Sequence, residues 1–149
     1  MSTGSIIALP GGDFEFHLAL GTAVKGLGGK IFAIDLPPVS VAPMSVLLCA
    51  HLHELDPPGP MVILAPASSI DYLPALALAQ RTAHRRVAAY YLIDPQTDPT
   101  GPTWPDAPVY VAQQNSAATS KLPVLRGWKE CNFTTIDELA AALVASATD

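Results

Sequence analysis

Glycines and an imidazole that could bind or react with a small molecule follow the first apolar run of this sequence. Gly11 and Gly12 come directly after that run, and His17 lies a few residues further on. If a helix starts there, backbone N–H groups of the turn could hold an anion, because the helix dipole is positive at that end. His17 could carry a proton near neutral pH. The structural alternatives are a plain strand-to-helix turn for the glycines and a partly exposed helix position for His17.

Other polar residues follow later apolar runs, and each has a structural alternative. Asp35 could contact a ligand or cap a loop, and the polar run that starts at Gln113 could hydrogen-bond a neutral ligand or be a solvated loop. Cys131 could be a thiol nucleophile, although a lone cysteine is more often a small buried residue. His51 and His53 come nearest to a metal spacing, but on a helix they would point about 200° apart. We therefore expect no metal site and no cofactor.

Composition excludes several classes of protein. The 149 residues carry a net charge of -5, whereas a surface that follows nucleic-acid phosphates is basic. No uncharged apolar stretch reaches the roughly 18 residues of a membrane span, and the first residues do not resemble a signal peptide. The two cysteines are far apart, which is typical of a reduced cytoplasmic chain. Half of the residues are apolar and only 14% are charged, so we expect an apolar interface that forms a homodimer.

Short apolar runs alternate with segments of helical periodicity as far as the fourth run, and loops separate the later runs before a closing helical segment. Runs that are apolar on both faces are typical of a buried parallel sheet with helices on both sides. We therefore predict an α/β fold, with about six mostly parallel strands in one domain over 1–149, and a cap on the last helix at Thr134 or Thr135. Ligands of such sheets bind at the carboxyl ends of the strands. Predicted strands cover 6–9, 31–34, 61–65, 87–93, 109–112 and part of 124–133, and predicted helices 14–27, 40–55, 71–85 and 135–147, with a loop over 113–123.

Several phrases along the chain resemble one family in their order. "IIALPGG" resembles a strand and glycine turn, "MVILAPASSIDYLPALALA" a strand, a nucleophile turn and a helix of small residues, and "VAAYYLIDP" the following strand. Together with "IFAIDLPP" and "APVYVAQQN", these phrases resemble the α/β-hydrolases, in particular the thioesterase and lipase-like branch. The resemblance implies a minimal hydrolase core without the opening antiparallel strands.

The resemblance also implies roles for individual residues. It places the nucleophile at Ser69, or at Ser68 in a second register, with a helix N-cap as the structural alternative for Ser69. It implies an oxyanion hole built by the Gly11–Gly12 turn and the Ile70 amide. Asp94 stands after a strand where some members keep an acid, and its structural alternative is a turn residue before Pro95.

The sequence departs from the family at two points. The family motif is G-x-S-x-G, and neither serine here has flanking glycines. The family histidine follows the last strand, whereas no histidine follows His84 in this chain. The resemblance then implies a degenerate triad, with His17 or Asp94 as the proton carrier.

These observations predict a hydrolase-like enzyme with a non-standard active site. Its substrate would be an acyl thioester, ester or lactone, or an acyl chain held on a carrier protein, and its reaction a hydrolysis, cyclisation or isomerisation in polyketide-type secondary metabolism. The alternative is a catalytically inactive relative that serves as a binding or assembly partner. The missing base and the missing glycines support that alternative.

Overall fold

A computed structural model describes residues 4–11, 14–34, 44–57, 59–93, 104, 107–114 and 128–147 of the chain. Within those ranges only the backbone is described at residues 44, 45, 67, 68, 113, 114 and 132. Strands and helices alternate in these residues as far as residue 93, and two further strands and a helix follow. The strands are β1 (Ser5–Ala8), β2 (Lys30–Ala33), β3 (Met61–Ala65), β4 (Val87–Ile93), β5 (Val109–Gln114) and β6 (Lys129–Phe133). The helices are α1 (Phe14–Gly26), α2 (Met44–Leu55), α3 (Leu73–Thr82) and α4 (Ile136–Ala147), with a 3₁₀ turn at Ala67–Tyr72.

The six strands form one parallel sheet in the order β2-β1-β3-β4-β5-β6. From β1 the chain first adds β2 on one side and then returns to add β3 on the other side. Two backbone hydrogen bonds align the carboxyl ends of these three strands. Leu9 N–H donates to the Leu64 carbonyl (2.9 Å), and Ile34 N–H donates to the Ala8 carbonyl (2.9 Å). The reversal of strand order therefore lies between the carboxyl ends of β1 and β3.

Helices cover both faces of the sheet. Alternate strand residues point to opposite faces, so Ile7 and Ile63 pack against α2 and α3, while Ile6 and Val62 pack against α1 and α4. All four of these side chains are fully buried. Two apolar cores on a single sheet explain why the strands read as continuous apolar runs.

The predicted α/β fold with six parallel strands is confirmed. Two details differ from the sequence-based expectation. The third helix does not run continuously from residue 71, because a 3₁₀ turn precedes Leu73. Gln113 and Gln114, predicted as the start of a polar loop, belong to β5. None of the described helices is long and apolar enough to cross a membrane.

Helix α1 buries only part of its apolar surface. Its buried residues are Leu20 and Val24, whereas Phe14 is 76% exposed and Leu18 is 61% exposed. The apolar periodicity correctly indicated a helix. It did not indicate which apolar stripe meets the sheet, because α1 carries apolar residues on more than one side.

Candidate functional site

The candidate site lies where the strand order reverses, between the ends of β1 and β3. In open α/β sheets such a reversal opens a crevice in which ligands bind. Here Ala8 pairs with Leu64, so the residues that follow each strand, Pro10 and Pro66, leave the sheet side by side. The 3₁₀ turn after Pro66 then carries Ser69 back toward Pro10.

The hydroxyl of Ser69 donates a hydrogen bond to the Pro10 carbonyl and so joins the two strand ends. The Ser69 N–H is also occupied, since it donates to the Pro66 carbonyl (2.9 Å). Ser69 is only 1% exposed. Pro66 takes the N-cap position of the 3₁₀ turn, so Ser69 is not the helix cap that its residue type allowed. In this rotamer the proton of Ser69 is directed at an amide carbonyl, which is not a base.

The imidazole of His17 bonds the next carbonyl of the same turn. Its Nε2 lies 2.6 Å from the Gly11 carbonyl oxygen. Because a carbonyl can only accept, Nε2 must carry a hydrogen, and in the neutral ring Nδ1 is then the basic atom. Gly11 has a φ of 115°, which disfavours any residue with a side chain. The turn therefore depends on glycine at this position, and it presents consecutive carbonyls to Ser69 and His17.

The structure describes no contact between the other predicted site residues and this turn. Ile70 is fully buried among the core residues on the α2–α3 face, and its carbonyl accepts the Leu73 N–H. A role for the Ile70 amide at an oxyanion stays a prediction. Ser68 lies in the 3₁₀ turn and Gln113 in β5, but their side chains are outside the description. The predicted site residues Gly12, Asp35 and Asp94 lie outside the described residues.

Cys131 is a poor nucleophile in this environment. Its side chain is partly buried against the α1–α4 face, and burial raises the pKa of the thiol. A raised pKa reduces the thiolate, which is the reactive form. Within the described ranges no three His, Cys, Asp or Glu side chains are grouped as a metal ion would need.

A cavity adjoins the turn on the side of α1. It has a volume of about 560 Å³ and lies between α1 and the ends of β1 and β2. Its lining includes Gly11 and His17 at one end and Lys25 at the other. This cavity was not predicted from the sequence. The signal for it was the spacing of Phe14, Leu18 and Lys25, which lie on one side of a helix whose buried residues lie elsewhere.

Solved structures of low sequence identity share the fold of this chain. No family model and no curated protein matches the sequence. An extracellular α/β-hydrolase from a Paenibacillus species matches at a TM-score of 0.68 and 7% identity, over 97% of this chain and 99% of that one. The RedJ thioesterase of prodiginine biosynthesis from Streptomyces coelicolor matches at 0.68 and 11%, over 95% and 85%. The NocB thioesterase domain, as a covalent complex with a fluorophosphonate nocardicin G analogue, matches at 0.64 and 12%, over 98% and 95%.

Proposed function

We propose that this chain, which has the fold of the α/β-hydrolases, transfers or hydrolyses the acyl group of an ester, thioester or lactone. Ser69 is the proposed nucleophile and His17 the proposed proton carrier. One observation carries the proposal. Both side chains bond consecutive carbonyls of the Pro10–Gly11 turn, at the end of the sheet where ligands of this architecture bind.

The reaction begins when the Ser69 hydroxyl leaves the Pro10 carbonyl and turns toward the substrate. Its oxygen attacks the acyl carbon, and its proton passes to Nδ1 of His17. The leaving thiol or alcohol then takes that proton as the acyl–Ser69 ester forms. Water, deprotonated by the same nitrogen, attacks this ester and releases the acid. The proton then passes from Nδ1 to the departing Ser69 oxygen, which restores both side chains. An internal hydroxyl of the substrate in place of water gives cyclisation.

Similarity to thioesterases supports an acyl thioester as the substrate class. The solved relatives include a thioesterase from prodiginine biosynthesis and a thioesterase domain from the nocardicin cluster. We accordingly propose a small acyl thioester of secondary metabolism, free or bound to a carrier protein, processed in the cytoplasm by a homodimer. Size-exclusion chromatography at micromolar concentration tests the dimer, and a monomeric elution volume contradicts it.

A second candidate is a non-catalytic binding or assembly partner with the same fold. The burial of Ser69 and the direction of its hydroxyl toward Pro10 favour this candidate. A serine hydroxyl that donates its hydrogen bond to a carbonyl is not hydrogen-bonded to a base that could activate it. On this alternative Ser69 joins the ends of β1 and β3, and ligands bind without turnover.

Hydrolysis of p-nitrophenyl esters of increasing acyl length separates the two candidates. The acyl-transfer proposal predicts turnover that Ser69→Ala abolishes and that His17→Gln lowers by about 10²–10⁴-fold, the usual contribution of a general base. Thr82→Ala is the matched control, because it removes a hydroxyl-to-carbonyl bond on α3, which does not line the site. Turnover that survives Ser69→Ala, or no turnover across the whole series, refutes the proposal.

A further inference from the structure

The cavity beside α1 is an elongated groove with one apolar side and one cationic end. The helix residues that line it recur at the spacing of a single face and run from Phe14 through Leu18 and Gly21 to Lys25. Eleven residues of helix rise about 16 Å, so the groove is long enough for an extended chain. Its volume, about 560 Å³, falls within the roughly 300–1,000 Å³ of small-molecule sites.

The wall opposite α1 is apolar. Ile31 and Ala33 of the edge strand β2, together with Ile34, line that wall. Across the groove Phe14 and Leu18 are largely exposed, although both are apolar. A ligand with an apolar body would remove these surfaces from water, and that removal is the main source of affinity in small-molecule sites.

The described lining of the groove carries a positive charge, although the chain as a whole is acidic. The chain has a net charge of -5, yet the described lining residues include Lys25 and no aspartate or glutamate. No carboxylate of the described residues lies within ion-pair distance of the Lys25 ammonium. A carboxylate ligand would therefore meet an ammonium group that is not already neutralised by a described neighbour.

We propose that this groove binds an amphipathic monocarboxylate, with its carboxylate on Lys25 and its apolar chain along Leu18, Gly21 and Ile31. This binding goes beyond the acyl-transfer function and does not rest on it, because the ligand carries no bond for Ser69 to attack. It is therefore measured in the Ser69→Ala protein as well as in the wild type. Failure of ester turnover leaves the binding result unaffected.

Decanoate is the probe, titrated by calorimetry below its micelle concentration. Decyltrimethylammonium and decanol are matched ligands, since they keep an unbranched alkyl chain of similar length and replace the carboxylate with a cationic or a neutral head group. The proposal predicts saturable binding of decanoate that is at least tenfold tighter than that of either matched ligand. Equal binding of the three, or no saturable binding of decanoate, overturns it.

Two pairs of variants locate the site. Lys25→Gln is expected to weaken decanoate binding at least tenfold, whereas Lys30→Gln, on an exposed lysine outside the groove lining, leaves it unchanged. A Cβ at Gly21 meets no atom within 4 Å, so Gly21→Phe can fill the groove, and it is expected to abolish binding. Gly26→Phe is the control for Gly21→Phe. Gly26 is on the same helix, a Cβ there also meets no atom within 4 Å, and the residue is outside the groove lining.

Circular dichroism checks the fold of each variant, and Gly21→Leu replaces Gly21→Phe if the larger side chain prevents folding. Decanoate binding that persists unchanged in a folded Gly21 variant contradicts the groove as the site. So does an equal loss of binding in Lys25→Gln and Lys30→Gln, because that result would indicate only a general effect of net charge.

Discussion

Replacing Ser69 with alanine removes a partly buried hydrogen bond between the ends of β1 and β3. The substitution leaves the Pro10 carbonyl without this donor, and an unsatisfied polar group costs about 1–3 kcal/mol when it is kept from water. Pro10 is only partly buried, so water can reach its carbonyl and the cost falls near the lower end. We expect Ser69→Ala to lower the free energy of unfolding by about 1–1.5 kcal/mol. For a chain of this size that corresponds to a Tm about 2–6 °C lower.

Urea unfolding followed by circular dichroism measures this change, with Thr82→Ala as the control. Thr82 donates to the Leu78 carbonyl (2.9 Å) at the exposed end of α3, and alanine is the better helix former there. The control is therefore expected to change stability by less than about 0.5 kcal/mol. If Ser69→Ala is as stable as the control, the bond to Pro10 contributes nothing and the proposed role in joining the strand ends is refuted.

Three further predictions concern packing and reactivity. A Cβ at Gly21, inside α1, has open space around it, so Gly21→Ala is expected to raise the free energy of unfolding in urea by about 0.5–1 kcal/mol. Gly28 has a φ of 81°, so Gly28→Ala is expected to lower that free energy by about 1 kcal/mol or more. Leu64 is fully buried in a central strand, so Leu64→Ala is expected to lower the free energy of unfolding by about 2–5 kcal/mol. Leu78 is 51% exposed, and Leu78→Ala is expected to lower it by less than about 0.5 kcal/mol. Similar losses for the two variants would contradict the assigned burial. Because burial raises the pKa of Cys131, its alkylation by iodoacetamide at pH 8 is expected to be slower in the folded protein than in 8 M urea, and equal rates would contradict that shift.

The sheet was predictable because its strands are apolar on both faces and separated by helical segments. The cap on the last helix was also accessible from the sequence. Thr135 accepts the Glu138 N–H (3.3 Å), and the Glu138 carboxylate accepts the Thr134 N–H (2.9 Å). This reciprocal pattern depends only on residues three or four apart, so local spacing contains the information.

The arrangement at the site was less predictable, because it depends on contacts between distant segments. Ser69 and Pro10 are 59 residues apart, and their bond follows from the register of β1 against β3. Residue type suggested a nucleophile or a cap for Ser69, whereas the structure gives its hydroxyl a carbonyl partner. The groove was missed for a related reason. The exposure of Phe14 and Leu18 depends on how α1 is rotated on the sheet, and periodicity alone does not determine that rotation.

Reaction with an alkyl fluorophosphonate, followed by intact mass and peptide mapping, tests the acyl-transfer function most directly. Such reagents attach covalently to a serine whose hydroxyl is activated by a base. The account predicts one adduct per chain, mapped to the peptide that contains Ser69, lost in Ser69→Ala, retained in Ser68→Ala and slowed in His17→Gln. An adduct on another residue, or an unmodified wild-type mass after prolonged incubation, would contradict it.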